Sequence, residues 1–134
     1  MLPMQHEELT RQIIGCAYKV YNTMGFGFLE SVYEECMMIE LGKLGLHVEQ
    51  QFPISVIYDN RVVGTFAADL FVEGTVMVEL KSVRTTTPAH ETQLVNYLKA
   101  TGVDVGLLIN FGETKVEVKR KVRELPRPAT GTEG

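Results

Sequence analysis

The sequence predicts an α/β domain: a mixed central β-sheet of about four to five strands flanked by helices. Three observations lead there. Two stretches near the start of the chain carry apolar residues at three- and four-residue spacing, the pattern of amphipathic helices. Residues 66–81 (FAADLFVEGTVMVELK) read as two adjacent strands joined by a short turn at Glu73-Gly74, because apolar, β-branched and aromatic residues dominate on either side of a glycine. From Val76 through residues 89–101 to Val105 the order is then strand, helix, strand, which implies a right-handed parallel crossover.

The elements follow in order. Leu9, Ile13, Cys16/Ala17, Val20 and Met24 recur on one side of a helix over residues 6–23, which Gly25-Phe26-Gly27 ends. A second helix spans about residues 29–44, its apolar side formed by Leu29, Val32/Tyr33, Cys36/Met37, Met38 and Leu41/Leu44, with Gly45 suited to a left-handed C-terminal cap. Alternation over residues 53–58 marks a strand, and Asp59-Asn60 a hairpin turn into the strand of Val62 and Val63. That strand continues, with Gly64 as a bulge, into the segment of Asp69. A polar loop over residues 82–87 leads to Pro88, fit for a first helical turn, and a helix over residues 89–101 that ends at Gly102. The run VDVGLLINF over residues 103–111 is a central strand buried on both faces, and residues 115–121 form an alternating edge strand. Two prolines and small polar residues predict a disordered tail over residues 125–134, leaving residues 1–124 as one domain.

With 134 residues, 45% hydrophobic and 22% charged, the chain has the balance of one globular domain. No run approaches the roughly 18 apolar residues of a membrane span, and the first residues lack a signal peptide's basic and apolar regions, so a cytoplasmic location is expected. Cys16 and Cys36 fall in helical patterns without zinc-type spacing and read as reduced core residues. A net charge of −4 argues against a coat of basic residues for sequence-blind nucleic-acid binding. Locally, residues 115–127 carry six basic residues (Lys115, Lys119, Arg120, Lys121, Arg123, Arg127) against Glu117 and Glu124, a stretch that reads either as a phosphate-tracking surface or as a solvated edge.

The chemistry concentrates in residues 66–81. Side chains alternate across a strand, so Glu79 and Lys81 share one face while Val76, Val78 and Leu80 form a wholly apolar opposite face. Asp69, Glu79 and Lys81 therefore place charge within a half-buried sheet, where each costs several kcal/mol unless it is paired or coordinates a metal. Two readings stand side by side: a structural ion pair of Lys81 with Glu79 or Asp69, or a site in which both carboxylates and the Leu80 carbonyl hold a hard divalent cation with Lys81 beside the attacking water. Glu30 and Tyr33 share a helix face, as do Gln93 and Tyr97; taken alone, Glu30 reads as the border of an apolar stripe and Tyr97 as a core aromatic. His6 and His47 read as surface residues, and His90 as a helix-start residue.

Residues 27–33 (GFLESVY) match the pattern G-x-x-E-x-x-Y, followed in order by Asp69 in Ala68-Asp69-Leu70, by Glu79-Leu80-Lys81, by QLVNYLK at 93–99 and by LINFG at 108–112. Together these resemble the GxxExxY family of small bacterial and archaeal proteins over about residues 7–120, a group assigned to the PD-(D/E)XK nuclease-like superfamily. The resemblance implies a restriction-endonuclease-like core and a Mg²⁺- or Mn²⁺-dependent nuclease acting on DNA or RNA. Carried over by position, it implies that Asp69 and Glu79 bind the metal with Glu30 as a further acid, that Lys81 is the catalytic lysine, and that Gln93, Tyr97 and Tyr33 contact substrate. Ala67 departs from the basic residue expected two positions before the aspartate, and the proline of the superfamily's name is missing before Asp69. The competing expectation is a non-catalytic nucleic-acid- or partner-binding module on the same fold. A homodimer, or a protein partner supplying target recognition, is a further expectation for so small a chain.

Overall fold

A computed structural model describes residues 6–123. Its elements run α1 (Glu7–Met24), α2 (Glu30–Lys43), β1 (Val48–Tyr58), β2 (Arg61–Val72), β3 (Val76–Lys81), α3 (Pro88–Thr101), β4 (Val105–Phe111) and β5 (Val116–Val122). The five strands form one sheet in the order β1-β2-β3-β4-β5. All neighbours are antiparallel except β3 and β4, which are parallel and joined through α3. This is the mixed, helix-flanked α/β sheet that the sequence predicts. The expected tail at 125–134, and Arg127 within it, lie outside the described residues.

Alternation divides the core in two. Val76, Val78 and Leu80 of β3 and Val105, Leu107, Ile109 and Phe111 of β4 pack with Ile13, Ala17, Tyr33, Met37 and Leu41 of α1 and α2 on one face. Met77 and Leu108 face the other way, against Leu94, Tyr97 and Leu98 of α3. Glu79 and Lys81 share parity with Met77 and so lie on the α3 side. Gly106 does too, and a Cβ there would sit 2.8 Å from Leu94 Cδ1, so the bare backbone is what lets α3 approach β4.

The punctuation follows turn chemistry. Asp59 and Asn60 both have positive φ (51° and 60°), the twist of a two-residue hairpin turn, and Glu73 and Gly74 (55° and 61°) turn β2 into β3. The β1–β2 register shifts at Val56/Ile57, where Ile57 pairs with Val62 but Val56 with Gly64, leaving Val63 as the extra residue of a bulge. Strand β1 begins five residues before the predicted start at residue 53, because pairing with β2 extends through Val48 and the polar Glu49 and Gln50. His90 Nδ1 accepts the Thr87 N–H at 3.1 Å, fixing the start of α3. Both cysteines are free, with Cys16 buried.

One feature of β2 positions the site. Its last residues, Leu70 to Val72, pair with β3, whereas residues 61–68 pair with β1 alone. The β1–β2 hairpin therefore leaves the sheet beyond Asp69. It carries exposed Ile57, Tyr58, Val62, Val63 and Phe66 out with it.

Candidate metal and active site at the fork of β2 and β3

Asp69 sits where β2 parts from β3, directly before the last paired residue, Leu70. The short turn at Glu73-Gly74 sets the register that brings Glu79 opposite it. The two acids are locked by reciprocal bonds to the other's strand: Asp69 Oδ2 accepts the Leu80 N–H at 2.7 Å, and Glu79 Oε2 accepts the Asp69 N–H at 3.1 Å. Two carboxylates are thus held together on rigid backbone. Glu79 is 6% exposed. Burial, followed by the neighbouring Asp69 carboxylate, pushes its pKa up to about 8; the Asp69 N–H and Lys81 act against that rise, and Glu30 adds to it.

Lys81 lies two residues on, on the same face, and interacts electrostatically with Glu79. Among the described residues it closes no ion pair with either acid, so the pairing expected of a purely structural lysine is absent there. The loop after it is fixed by fully buried Asn110, whose Oδ1 accepts the Val83 N–H and whose Nδ2 donates to the Val83 carbonyl and to Glu117 Oε1. Asn110 stands opposite Lys81 in the parallel register. The backbone on either side of the lysine is therefore held from two strands.

The remaining predicted site residues divide. Glu30 is exposed in the first turn of α2 and reaches Glu79 through its charge. Among the described residues no three acids form a ligating cluster, so Asp69 and Glu79 stand as a pair and Glu30 is not gathered with them. Tyr33 does not face substrate at all. Its side chain is fully buried, its ring stacks on Phe111 (centroids 4.2 Å apart, 8° between planes) and its hydroxyl donates to the Gly25 carbonyl at 2.5 Å. The Phe28 N–H reaches that hydroxyl at 3.4 Å, so Tyr33 braces the turn before Glu30 from inside. Glycine is needed in that turn, where Gly25 and Gly27 have φ of 69° and 115°. The turn is tied to the lysine's strand where Ser82 Oγ donates to the Phe28 carbonyl at 2.7 Å.

Gln93 and Tyr97 face the fork from α3. Tyr97 is nearly buried, and burial together with the Glu79 and Asp69 carboxylates raises its pKa, a rise that a side-chain hydrogen bond with Gln93 partly offsets. Within the basic stretch, Lys121 pairs with Glu91 at 2.6 Å and Arg123 with Asp104 at 2.7 Å.

Two residues at the site, Glu34 and Gln51, lie outside what the sequence predicts. Glu34 is buried, and that burial raises its pKa, while Gln50 and Gln51 donate to its carboxylate at 2.7 and 2.9 Å and oppose the rise. Gln51 Nε2 also reaches Asp69 Oδ1 at 3.3 Å, linking helix acid to strand acid. It does so from a backbone with φ of 53°, unusual for a non-glycine residue in a strand. Glu34 carries a signal, since it falls three and seven residues before Met37 and Leu41 on the buried side of α2.

The donor set suits a hard divalent cation: two carboxylates side by side, Glu79 with an oxygen that takes no hydrogen bond among the described residues, and a lysine on the same face that closes no ion pair with either acid among the described residues. A cation there would offset both the burial and the neighbouring Asp69 charge that raise the Glu79 pKa.

Among curated proteins none matches the chain. A solved structure described as "Crystal structure of SSO0001" superposes with a TM-score of 0.53 at 15% identity, over 91% of this chain and 61% of that one; it shares the fold. The model of the PD-(D/E)XK nuclease superfamily matches residues 7–121, and the chain belongs to that superfamily.

Proposed function

We propose that the protein is a Mg²⁺- or Mn²⁺-dependent nuclease that hydrolyses phosphodiester bonds in DNA or RNA at the fork of β2 and β3, and that within its superfamily it belongs with the GxxExxY group. The observation that carries this reading is the Asp69–Glu79 pair, interlocked by backbone hydrogen bonds with Lys81 on the same face.

Asp69 and Glu79 would hold the cation, with the Leu80 carbonyl as a further oxygen ligand. Once bound, the cation supplies Lewis-acid polarisation of the phosphate and lowers the pKa of water. Lys81 orients the attacking water and stabilises negative charge as it develops on the phosphate. Glu30 adds negative field from the edge of the site, and Glu34 steadies Asp69 through Gln51. Gln93 and Tyr97 hold the substrate against the α3 side.

The test is cleavage of plasmid and of single-stranded oligonucleotides by purified protein with Mg²⁺, Mn²⁺ or EDTA, beside Asp69→Ala and Lys81→Ala. Each variant should lose roughly 10²–10³-fold in rate, as is found on removing a group that stabilises transition-state charge. Equal rates in all three proteins would identify a contaminant and refute the mechanism. Salt-sensitive binding without metal-dependent cleavage would mark a non-catalytic binding module instead.

A further inference from the structure

The departing hairpin leaves a cleft of about 850 Å³ between itself and α3, lined by Val56, Ile57 and Phe66 on one side and by Gln93, Asn96 and Tyr97 among others on the opposite side. That volume is within the roughly 300–1,000 Å³ of small-molecule sites. Tyr97 links the cleft to the acid pair, since it lines the one and lies in the field of Glu79 and Asp69. Resting on the nuclease reading above, we propose that this cleft receives an unpaired nucleobase stacked on Phe66, so that the substrate class is single-stranded nucleic acid.

Four observations carry the assignment. Phe66 is 47% exposed although its ring lies 5.5 Å from that of Tyr97, with 37° between planes, so an aromatic face is held open at the mouth of the cleft. The ring is held in position: a Cβ on Gly64 would come within 3.1 Å of Phe66 Cε2, and Gly64 has no positive φ that would otherwise call for glycine. The amides of Gln93 and Asn96 offer donors and acceptors to a base edge beside those aromatic and aliphatic walls. Finally, the Glu79 and Asp69 carboxylates reach Tyr97 of the cleft with a negative field, which disfavours a phosphate inside it but not an uncharged π-face. In a duplex both faces of a base are covered by its neighbours, so only an unpaired base can enter.

The experiment is fluorescence anisotropy with labelled dT₁₂ and rU₁₂, each alone and annealed to its complement, and with dT₁₂ carrying a central abasic site. It is run in EDTA, so that binding is read without cleavage. The proteins compared are parent, Phe66→Ala, Phe66→Trp and Gly64→Ala. Base–aromatic stacking predicts that Phe66→Ala weakens single-strand binding by about 5- to 100-fold. Phe66→Trp restores affinity, Gly64→Ala weakens it by displacing the ring, and the abasic strand binds weakly and no longer distinguishes Phe66→Ala from parent. Tighter binding of dT₁₂ or of rU₁₂ decides between DNA and RNA, and either supports the cleft. Binding unchanged by Phe66→Ala, or duplex bound as tightly as single strand, overturns the assignment even if metal-dependent cleavage is found. A base-dependent result in a protein that cleaves nothing leaves the cleft standing and removes only the nuclease reading. Dimerisation by light scattering that Phe66→Ala abolishes would give the cleft to a second copy of the chain and overturn the proposal.

Discussion

Glu79→Gln separates what the acid does for chemistry from what it costs the fold. The native protein keeps this carboxyl protonated up to about pH 8, whereas the unfolded chain releases the proton near the ordinary 4.5. Between those values the folded state binds more protons than the unfolded state, so metal-free stability falls as pH rises and levels off above about 8. At about 1.4 kcal/mol per pH unit, the whole interval amounts to on the order of 5 kcal/mol, a large share of a small domain's total. The amide that replaces the carboxyl in the variant is neutral throughout. Urea denaturation in EDTA from pH 4.5 to 9 should therefore find parent and variant similar at the acid end. At pH 8.5 the variant should be the more stable, its midpoint higher by about 2 M for a slope near 2 kcal/mol per M. Burial raises the Glu34 carboxyl too and contributes a slope of the same sign, but it is present in both proteins and cancels in the difference. Adding Mg²⁺ or Mn²⁺ at pH 8.5 should stabilise the parent and leave the variant unchanged. A parent profile flat across the range, or a variant with the parent's slope, would refute the claim that Glu79 carries this charge-burial cost.

Three further substitutions test the supports around the site. Tyr33→Phe should lower stability by about 1–2 kcal/mol, the cost of a lost buried hydrogen bond to Gly25, while leaving oligonucleotide affinity unchanged; a loss of affinity without a loss of stability would return Tyr33 to the substrate. Gly106→Ala should cost about 1–3 kcal/mol in urea denaturation, because the new methyl group overlaps Leu94 and Leu98. Asn110→Ala should raise hydrogen exchange at the Val83 amide and slow cleavage through the loosened loop after Lys81; protection equal to the parent's would show that the loop holds itself.

Much of this is legible because the relevant patterns are local. The helices, the turns at Asp59-Asn60 and Glu73-Gly74, and the uniformly apolar β4 each announce themselves within a few residues, and the turn at Glu73-Gly74 fixes Asp69 beside Glu79. What escapes depends on tertiary context. Glu49 and Gln50 near the start of β1 are polar and become part of a strand by pairing with β2, and Gln51 bridges two acids from a conformation that no propensity favours. Tyr33 misleads because three-residue spacing from Glu30 does not distinguish a side chain turned inward from one turned to solvent. Glu34 is hidden because a glutamate in a helix ordinarily marks its wet face, and only the amides of Gln50 and Gln51 make its burial tolerable.

Strand β2 serves two partners in succession, and this divides its labour along its length. At the Val72 end it is anchored on both edges, and a change there disturbs the register that sets the acids. Toward Arg61 it is supported from one edge only, like a cantilever, and its outward residues touch little else. Substitution or lengthening near Asp59-Asn60 would thus reshape the cleft wall while sparing the acid pair, so that this end of the scaffold can change without a matching loss of stability.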